Sequence, residues 1–406
     1  MTTAGNLVQG NLIGTDATGT ADLGIEGDGV HFAGIPVNNT VGGTTAASRN
    51  VISGNGGDGV RLQITTIDNH NVISGNFIGT DVTGSAALPN DENGVHIDGG
   101  RKNVIGGATA GAGNVISGNG GDGVLIDNTF GGSEEARGNV IQGNLIGTNA
   151  AGTAGLGNSI GIHVDAQPDT VIGGTGVGAR NVVSGNAIGI LLRFGTGAVI
   201  QGNFVGTDVT GKSAVANQAD GIAVTDGFRV TVGGTRRGAG NVVASNGRSI
   251  VKGNGVLVKN SVGVTVPGNS TLGNTLLGID LGDNGVTRND PGDLDSSVNE
   301  LQNFPIVRTA ASNGSVTHVT GKLSSQPSVN YLVEFFSSPL CDPSGNGEGK
   351  VFLGRTTVTT GQAGAGSFNV VFHVGTKVGN VVTATATTPG GSTSELSKCR
   401  KVVSGA

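Results

Sequence analysis

The chain has 406 residues, a formal net charge of −6 and a pI near 5.5. With no basic stripe to neutralise phosphates it does not read as a nucleic-acid binder, and it contains no membrane span. Its 78 glycines and 10 prolines disfavour helix throughout, and its two cysteines, Cys341 and Cys399, both fall in the last quarter.

From the N-terminus, Met1-Thr2-Thr3 leads straight into repeat sequence with no signal peptide, so the chain is expected to be a piece of a longer secreted protein. The phrase Asn-Val-Ile-Ser-Gly-Asn then returns at Asn50, Asn71 and Asn114, with variants at Asn139, Asn181 and Asn241. Gly-Gly pairs at Gly42, Gly106, Gly173 and Gly233, and Gly-Thr-Asp/Asn triplets at Gly14, Gly79, Gly147 and Gly206, recur after roughly 60 to 68 residues. Each long unit holds two shorter ones. These are marked by Gly-Val/Ile-x-(apolar) at Gly29, Gly59, Gly94, Gly123, Gly161, Gly189, Gly221, Gly255 and Gly278, about nine passes of roughly 23 to 38 residues.

The passes are β-strands. Apolar runs of about three to five residues alternate in and out, as in Val95-His96-Ile97-Asp98, between Gly, Asn, Asp and Thr. Leucine-rich, ankyrin and propeller repeats lack their signatures here. A parallel β-helix remains, with successive coils stacked about 4.8 Å apart so that each satisfies its neighbours' backbone groups. Asn11, Asn55, Asn76, Asn119, Asn144, Asn186, Asn203 and Asn246 all follow Gly at a turn, which predicts one buried asparagine ladder that maintains the fold.

Aligning the Gly-Val/Ile strands leaves two outward columns. The first reads His31, Arg61, His96, Leu125, His163, Leu191, Ala223, Leu257, Asp280. The second reads Ala33, Gln63, Asp98, Asp127, Asp165, Arg193, Thr225, Lys259. Three stacked aspartates, flanked by His96, His163 and Arg193, are the densest titratable group on the solenoid. Like charges about 5 Å apart raise at least one pKa unless a cation or the arginine compensates. Carboxyls about 5 to 5.5 Å apart suit a retaining glycosidase, and those two coils apart approach inverting spacing. Carboxylates holding Ca²⁺ could instead acidify the carbon beside a uronic-acid carboxylate, with Arg193 or a histidine moving the proton. Duplication of the long repeat alone would also produce such a column as a polar face. Sugar stacking would need phenylalanines, because there is no Trp and Tyr331 is the sole tyrosine.

Between residues 280 and 295, closely spaced Asp and Asn suggest a Ca²⁺ site at Asp283, Asp290, Asp293 and Asp295, or else a solvated acidic linker. From Leu301 alternating strands take over at 315–323, 330–337, 351–359, 367–374, 380–387 and 394–403, which predicts an immunoglobulin-like β-sandwich. One Cys341–Cys399 disulfide closing a long loop is expected there, in an oxidising compartment. Phosphate-loop, Ser-His-Asp and paired Cys/His metal motifs are lacking.

Runs such as Gly143-Asn144-Leu145-Ile146-Gly147-Thr148 and Gly118-Asn119-Gly120-Gly121-Asp122-Gly123-Val124 resemble right-handed parallel β-helix proteins of the pectate lyase-like superfamily, and secreted bacterial β-helix-repeat proteins in particular. The resemblance covers about residues 4 to 290. The stretches Cys341 to Gly349 and Glu395 to Cys399 look like a C-terminal module attached to such proteins, a spacer or cap. What the resemblance implies is a glycoside hydrolase or polysaccharide lyase, although the superfamily glycosidases' adjacent aspartates and Gly-His-Gly run are absent. The expectation is an all-β chain, a right-handed parallel β-helix over 1–295 and an Ig-like sandwich over 296–406, secreted or at a bacterial-type cell surface. It would engage a polysaccharide or cell-surface glycan, through Asp98, Asp127, Asp165, His163 and Arg193 if it cleaves. The alternative is a non-catalytic adhesin, spacer or structural protein. The oligomeric state is open.

Overall fold

The structure, a computed structural model, describes residues 2–64, 69–129, 137–248 and 250–405. Three all-parallel sheets close the repeat region into a solenoid of about eight turns. The first sheet has ten strands, from Thr2–Ala4 to Ile279–Leu281, and the nine Gly-Val/Ile sites are its other nine strands. The second sheet has eight strands, from Leu7–Val8 to Thr231–Val232, and the third has nine, from Leu12–Ile13 to Ser270–Leu272. This is the parallel β-helix that the repeats imply. It is consistent with right-handed winding, the hand of about 98% of strand-crossover-strand connections.

Period-two alternation builds the core. Val95 and Ile97 are fully buried and stack in register on Val124 and Ile126 of the next coil. Each such side chain contributes about 1.5 to 3 kcal/mol over its exposed state.

The asparagines form three ladders rather than one. At the corner between the first and second sheets, Asn6, Asn39, Asn71, Asn103 and Asn139 are linked Oδ1 to Nδ2 at 2.8 to 3.1 Å. A second ladder enters the third sheet through Asn50, Asn76, Asn114, Asn144, Asn181, Asn203, Asn241 and Asn269. A third leaves that sheet through Asn55, Asn90, Asn119, Asn158, Asn186, Asn217, Asn246 and Asn274. The two asparagines ending the phrase Asn50-Val51-Ile52-Ser53-Gly54-Asn55 thus belong to different ladders. In most rungs one Oδ1 accepts both the backbone and the side-chain N–H of the preceding coil, as Asn114 does for Asn76; Asn119 and Asn246 accept only the side-chain N–H of Asn90 and Asn217. The Gly-Gly pairs make room for this. Gly106 has φ +85°, and a Cβ there would overlap the Gln142 carbonyl and the Asn144 side chain.

The two-coil period has its own cause. On alternate turns the Gly-Thr-Asp/Asn segments leave the third sheet and stack outside it, Val82 N–H donating to Gly19 O, Ala150 to Gly84 and Val209 to Gly152, at 2.8 to 2.9 Å.

Beyond the last coil, strands Ile306–Ser312, Thr317–Ser324, Ala365–Phe372 and Val403–Ser404 form one sheet, and Asn330–Ser338, Val351–Thr359, Val381–Thr387 and Arg400–Lys401 another. Tyr331, Phe335, Phe368 and Val382 share one core between them, compatible with a β-sandwich. Cys341 and Cys399 form the expected disulfide across 58 residues.

The stretch 394–403 is not one strand as alternation suggested, because its first half turns toward the solenoid. There Glu395, Glu348 and Glu334 of the module accept N–H groups of Leu281, Asn274 and Gly268 at 3.0 to 3.1 Å. Phe336 and Leu396 join the solenoid core. The module closes the open end of the solenoid.

Candidate functional site

Strand register places the first outward column as the repeat alignment has it, and the second too except that the pairing ends at Ile126 and Val164, one residue short of Asp127 and Asp165. His31 faces Arg61, Arg61 faces His96, His96 faces Leu125 and Leu125 faces His163. In the second column Gln63 faces Asp98, Asp98 faces Asp127, Asp165 faces Arg193 and Arg193 faces Thr225, which faces Lys259.

The columns are not evenly exposed. Asp98, His96 and Asp127 are buried, at 1%, 7% and 8% exposure. His96 sits between two carboxylates, with Nδ1 3.0 Å from Asp58 Oδ2 on the coil before and Nε2 3.0 Å from Asp127 Oδ1 on the coil after. Burial opposes its charge, but the hydrogen bonds to Asp127 and Asp58 outweigh it and hold the imidazolium up to about 9. Burial likewise opposes the charge of Asp58, yet His96 and the two Asn93 N–H donors keep that carboxyl below its usual range. Arg61 lies 3.9 Å from Asp58 and 4.0 Å from Asp98. The cation that stacked aspartates require is therefore His96, with Arg61 beside it.

His163 is built on the same plan with a different partner. Its Nδ1 meets Asp122 Oδ2 at 2.8 Å, and Nε2 is shielded from solvent without a hydrogen-bond partner. Asp165 pairs with Arg193 at 3.6 Å. The five expected catalytic residues thus fall into three groups: Asp98 and Asp127 around His96, His163 with Asp122, and Asp165 with Arg193.

Sequence reasoning missed the carboxylates that orient the histidines. Asp28, Asp58 and Asp122 each precede the glycine that marks a strand, in Gly-Asp-Gly-Val, and that repeat was their signal. From this turn they also hold the next coil: Asp28 accepts from Asp58 N, Asp58 from Asn93 N, and Asp122 from Ile160 N, at 2.8 to 3.0 Å.

Toward the C-terminal coils the outward face opens. Arg193, Thr225 and Lys259 are partly exposed, and beside them Phe194 and Phe228 stand 50% and 46% exposed in the turn leading to the second sheet. Arg193 lies 5.4 Å from the Phe194 ring centre and Arg229 lies 4.9 Å from that of Phe228. These are exposed phenylalanines of the kind sugar stacking would need.

Of the four aspartates expected to hold a cation, three converge: oxygens of Asp290, Asp293 and Asp295 lie within 4.8 Å of one another. Asp290 Oδ1 and Asp295 Oδ1 are shielded from solvent with no hydrogen-bond partner. Burial, reinforced by the neighbouring carboxylates, pushes the Asp293 and Asp295 carboxyls up. Three clustered oxygen donors suit a hard cation such as Ca²⁺. Asp283 stands apart, ion-paired to Lys259 at 3.0 Å. His96, Asp98 and Asp127 also converge within 4.8 Å, but His96 would have to lose its proton to bind a metal, and its two carboxylates retain it.

No protein family matches the chain, and comparison with curated proteins finds no match either. No helix among the described residues is long and apolar enough to cross a membrane.

Proposed function

We propose that the protein is an extracellular polysaccharide-binding solenoid that holds an acidic polymer along the C-terminal coils of its first sheet. The observation that carries this reading is the exposed pair Phe194 and Phe228 beside Arg193, Thr225 and Lys259. An aromatic face takes the C–H side of a sugar ring, guanidinium and ammonium groups take carboxylates, and successive coils repeat the offer at the strand spacing. The disulfide accords with an extracellular setting.

Binding is favoured over cleavage because Asp98 and Asp127 are buried and one of them is clamped to an imidazolium. A general acid or base must reach the proton it moves. Ca²⁺ at Asp290, Asp293 and Asp295 would brace the segment that joins solenoid and sandwich, a structural role.

Affinity electrophoresis through gels carrying polygalacturonate or a neutral glucan tests the reading. The protein should be retarded by the acidic polymer, and Phe194→Ala with Phe228→Ala should markedly weaken the retardation. No retardation by any polymer would leave the spacer or adhesin reading. Release of reducing ends or unsaturated uronates that disappears in Asp127→Ala/Asp165→Ala would replace binding by catalysis.

A further inference from the structure

Where the chain leaves the last coil and enters the sandwich, a cleft of about 810 Å³ opens. Phe304, Pro305 and Ile306 give it an apolar floor, and Ile306 is left 41% exposed. Arg288, Lys398 and Arg400 supply its charge, and no carboxylate lines it. Arg400 is fixed at the wall by donating from Nε to Val307 O at 3.1 Å. Among the described residues none of the three cations is ion-paired.

This concentration of positive charge occurs in a chain whose net charge is −6. Surface lysines and arginines usually stand apart or beside acids. Three unpaired cations lining one cleft repel one another, and an anion between them removes that repulsion. The volume lies within the range of about 300 to 1,000 Å³ over which small-molecule sites occur. The neighbouring cleft, lined by Asp280, Asp283 and Asp342, carries the opposite charge, so an anion is directed to one and not the other.

We infer that this junction cleft is a second binding site, which takes a short carboxylated oligosaccharide. Its carboxylates meet Arg288, Lys398 and Arg400, and the apolar side of a ring lies on Ile306. That the ligand is an anion rests on the cleft alone; that it is a saccharide rests on the function proposed above. A polymer held along the solenoid would then present a free end or a side branch to the junction.

Calorimetric titration with trigalacturonate and with its methyl ester, on four forms of the chain, tests the site. These are the unaltered chain, Arg288→Ala/Lys398→Ala, Arg193→Ala/Phe194→Ala, and the combination of all four substitutions. Arg288 and Lys398 are exposed, so their removal leaves packing intact. The solenoid variant should still bind the acid, and adding the cleft substitutions should weaken that binding by roughly tenfold or more per cation removed. The ester should not bind in the cleft, and added salt should weaken the acid. Absence of heat in the solenoid variant, equal binding of acid and ester there, or indifference to the cleft substitutions each overturns the site. Of these, the first together with polymer binding by the unaltered chain leaves the solenoid reading standing. Loss of all binding on the cleft substitutions alone would instead keep the cleft and remove the solenoid face.

Discussion

Two groups of buried carboxylates sit in one chain with partners of different kinds. In the middle of the solenoid Asp58, Asp98 and Asp127 surround His96 and Arg61, and the imidazolium is held up to about 9. At the junction Glu334, Glu348 and Glu395 are as deeply buried, but they accept backbone N–H groups instead of facing a contacting cation. Burial pushes Glu334 and Glu395 up to about 7 and Glu348 in the same direction. The charge of Arg355 offsets little of this at Glu334, and Asp280 adds to it at Glu395 and Asp342 at Glu348. A low-dielectric site accepts a carboxylate charge when a cation is built in beside it, and resists the charge when the partner is only a dipole.

One of the junction glutamates also has a place in the ladders. Asn246 donates its backbone N–H to Asn274, and Asn274, with no further coil beyond it, donates to Glu348. Glu348 is thus the last rung. A solenoid must cover its terminal edge to stay soluble, and here an acid from the next domain does it.

The largest effect should come from removing the built-in cation. His96→Ala leaves Asp58 and Asp127 buried without their partner, and breaking such a group costs roughly 3 to 5 kcal/mol. Urea unfolding at neutral pH measures it; a loss under about 1 kcal/mol would mean that the solenoid carboxylates do not need the imidazolium.

The pH profiles should separate the two regions. A raised histidine pKa adds stability that is complete below about 6.5 and disappears as pH rises to about 9, worth roughly 3 kcal/mol for His96. A raised glutamate pKa acts in a lower window. Stability is highest below about 4.5 and falls as pH rises to about 7, by roughly 3 kcal/mol for each of Glu334 and Glu395. Glu334→Gln keeps an acceptor for Gly268 and cannot ionise, so unfolding followed from acid to neutral pH should lose about one such share of its slope. An unchanged slope would place the charge elsewhere.

Calcium should act more modestly and at one end. At about a hundred times its dissociation constant a ligand adds about 2.7 kcal/mol, so the melting temperature should rise with calcium and fall again with chelator. Asp293→Ala with Asp295→Ala should remove that response. No shift in the unaltered protein rules the site out.

What the sequence made legible was periodic. Strand faces, both outward columns and the asparagine turns follow from spacing, because a solenoid converts repeats into contacts at fixed register. Three things were hidden for physical reasons. The single ladder split in two along the third sheet because Asn90, Asn158 and Asn217 lie beyond the looped-out Gly-Thr-Asp/Asn segments and do not follow the repeated phrase. The histidine partners Asp58 and Asp122 sit in turns, on the coil before the histidines they orient, where alternation says nothing. The burial of Asp98 and Asp127 and the inward turn of Glu395 are tertiary facts. A column read from one strand's alternation gives a direction and not a depth.

The smallest expected effect on stability bears most on function. Phe194 is half exposed and has φ +49°, so its ring is not held by the core. A side chain placed outside in a backbone conformation that disfavours bulky residues is hard to explain by folding alone. Phe194→Ala should therefore change stability by no more than about 0.5 kcal/mol, the usual range for surface substitutions. Over the same substitution, retardation in a polygalacturonate gel should fall markedly, and further with Phe228→Ala. Phe194→Gly relieves the backbone and should be at least as stable as Phe194→Ala while binding as poorly. If both variants lose stability and keep the polymer, the ring serves the turn, and the C-terminal coils differ from the buried charge cluster only in being less well covered.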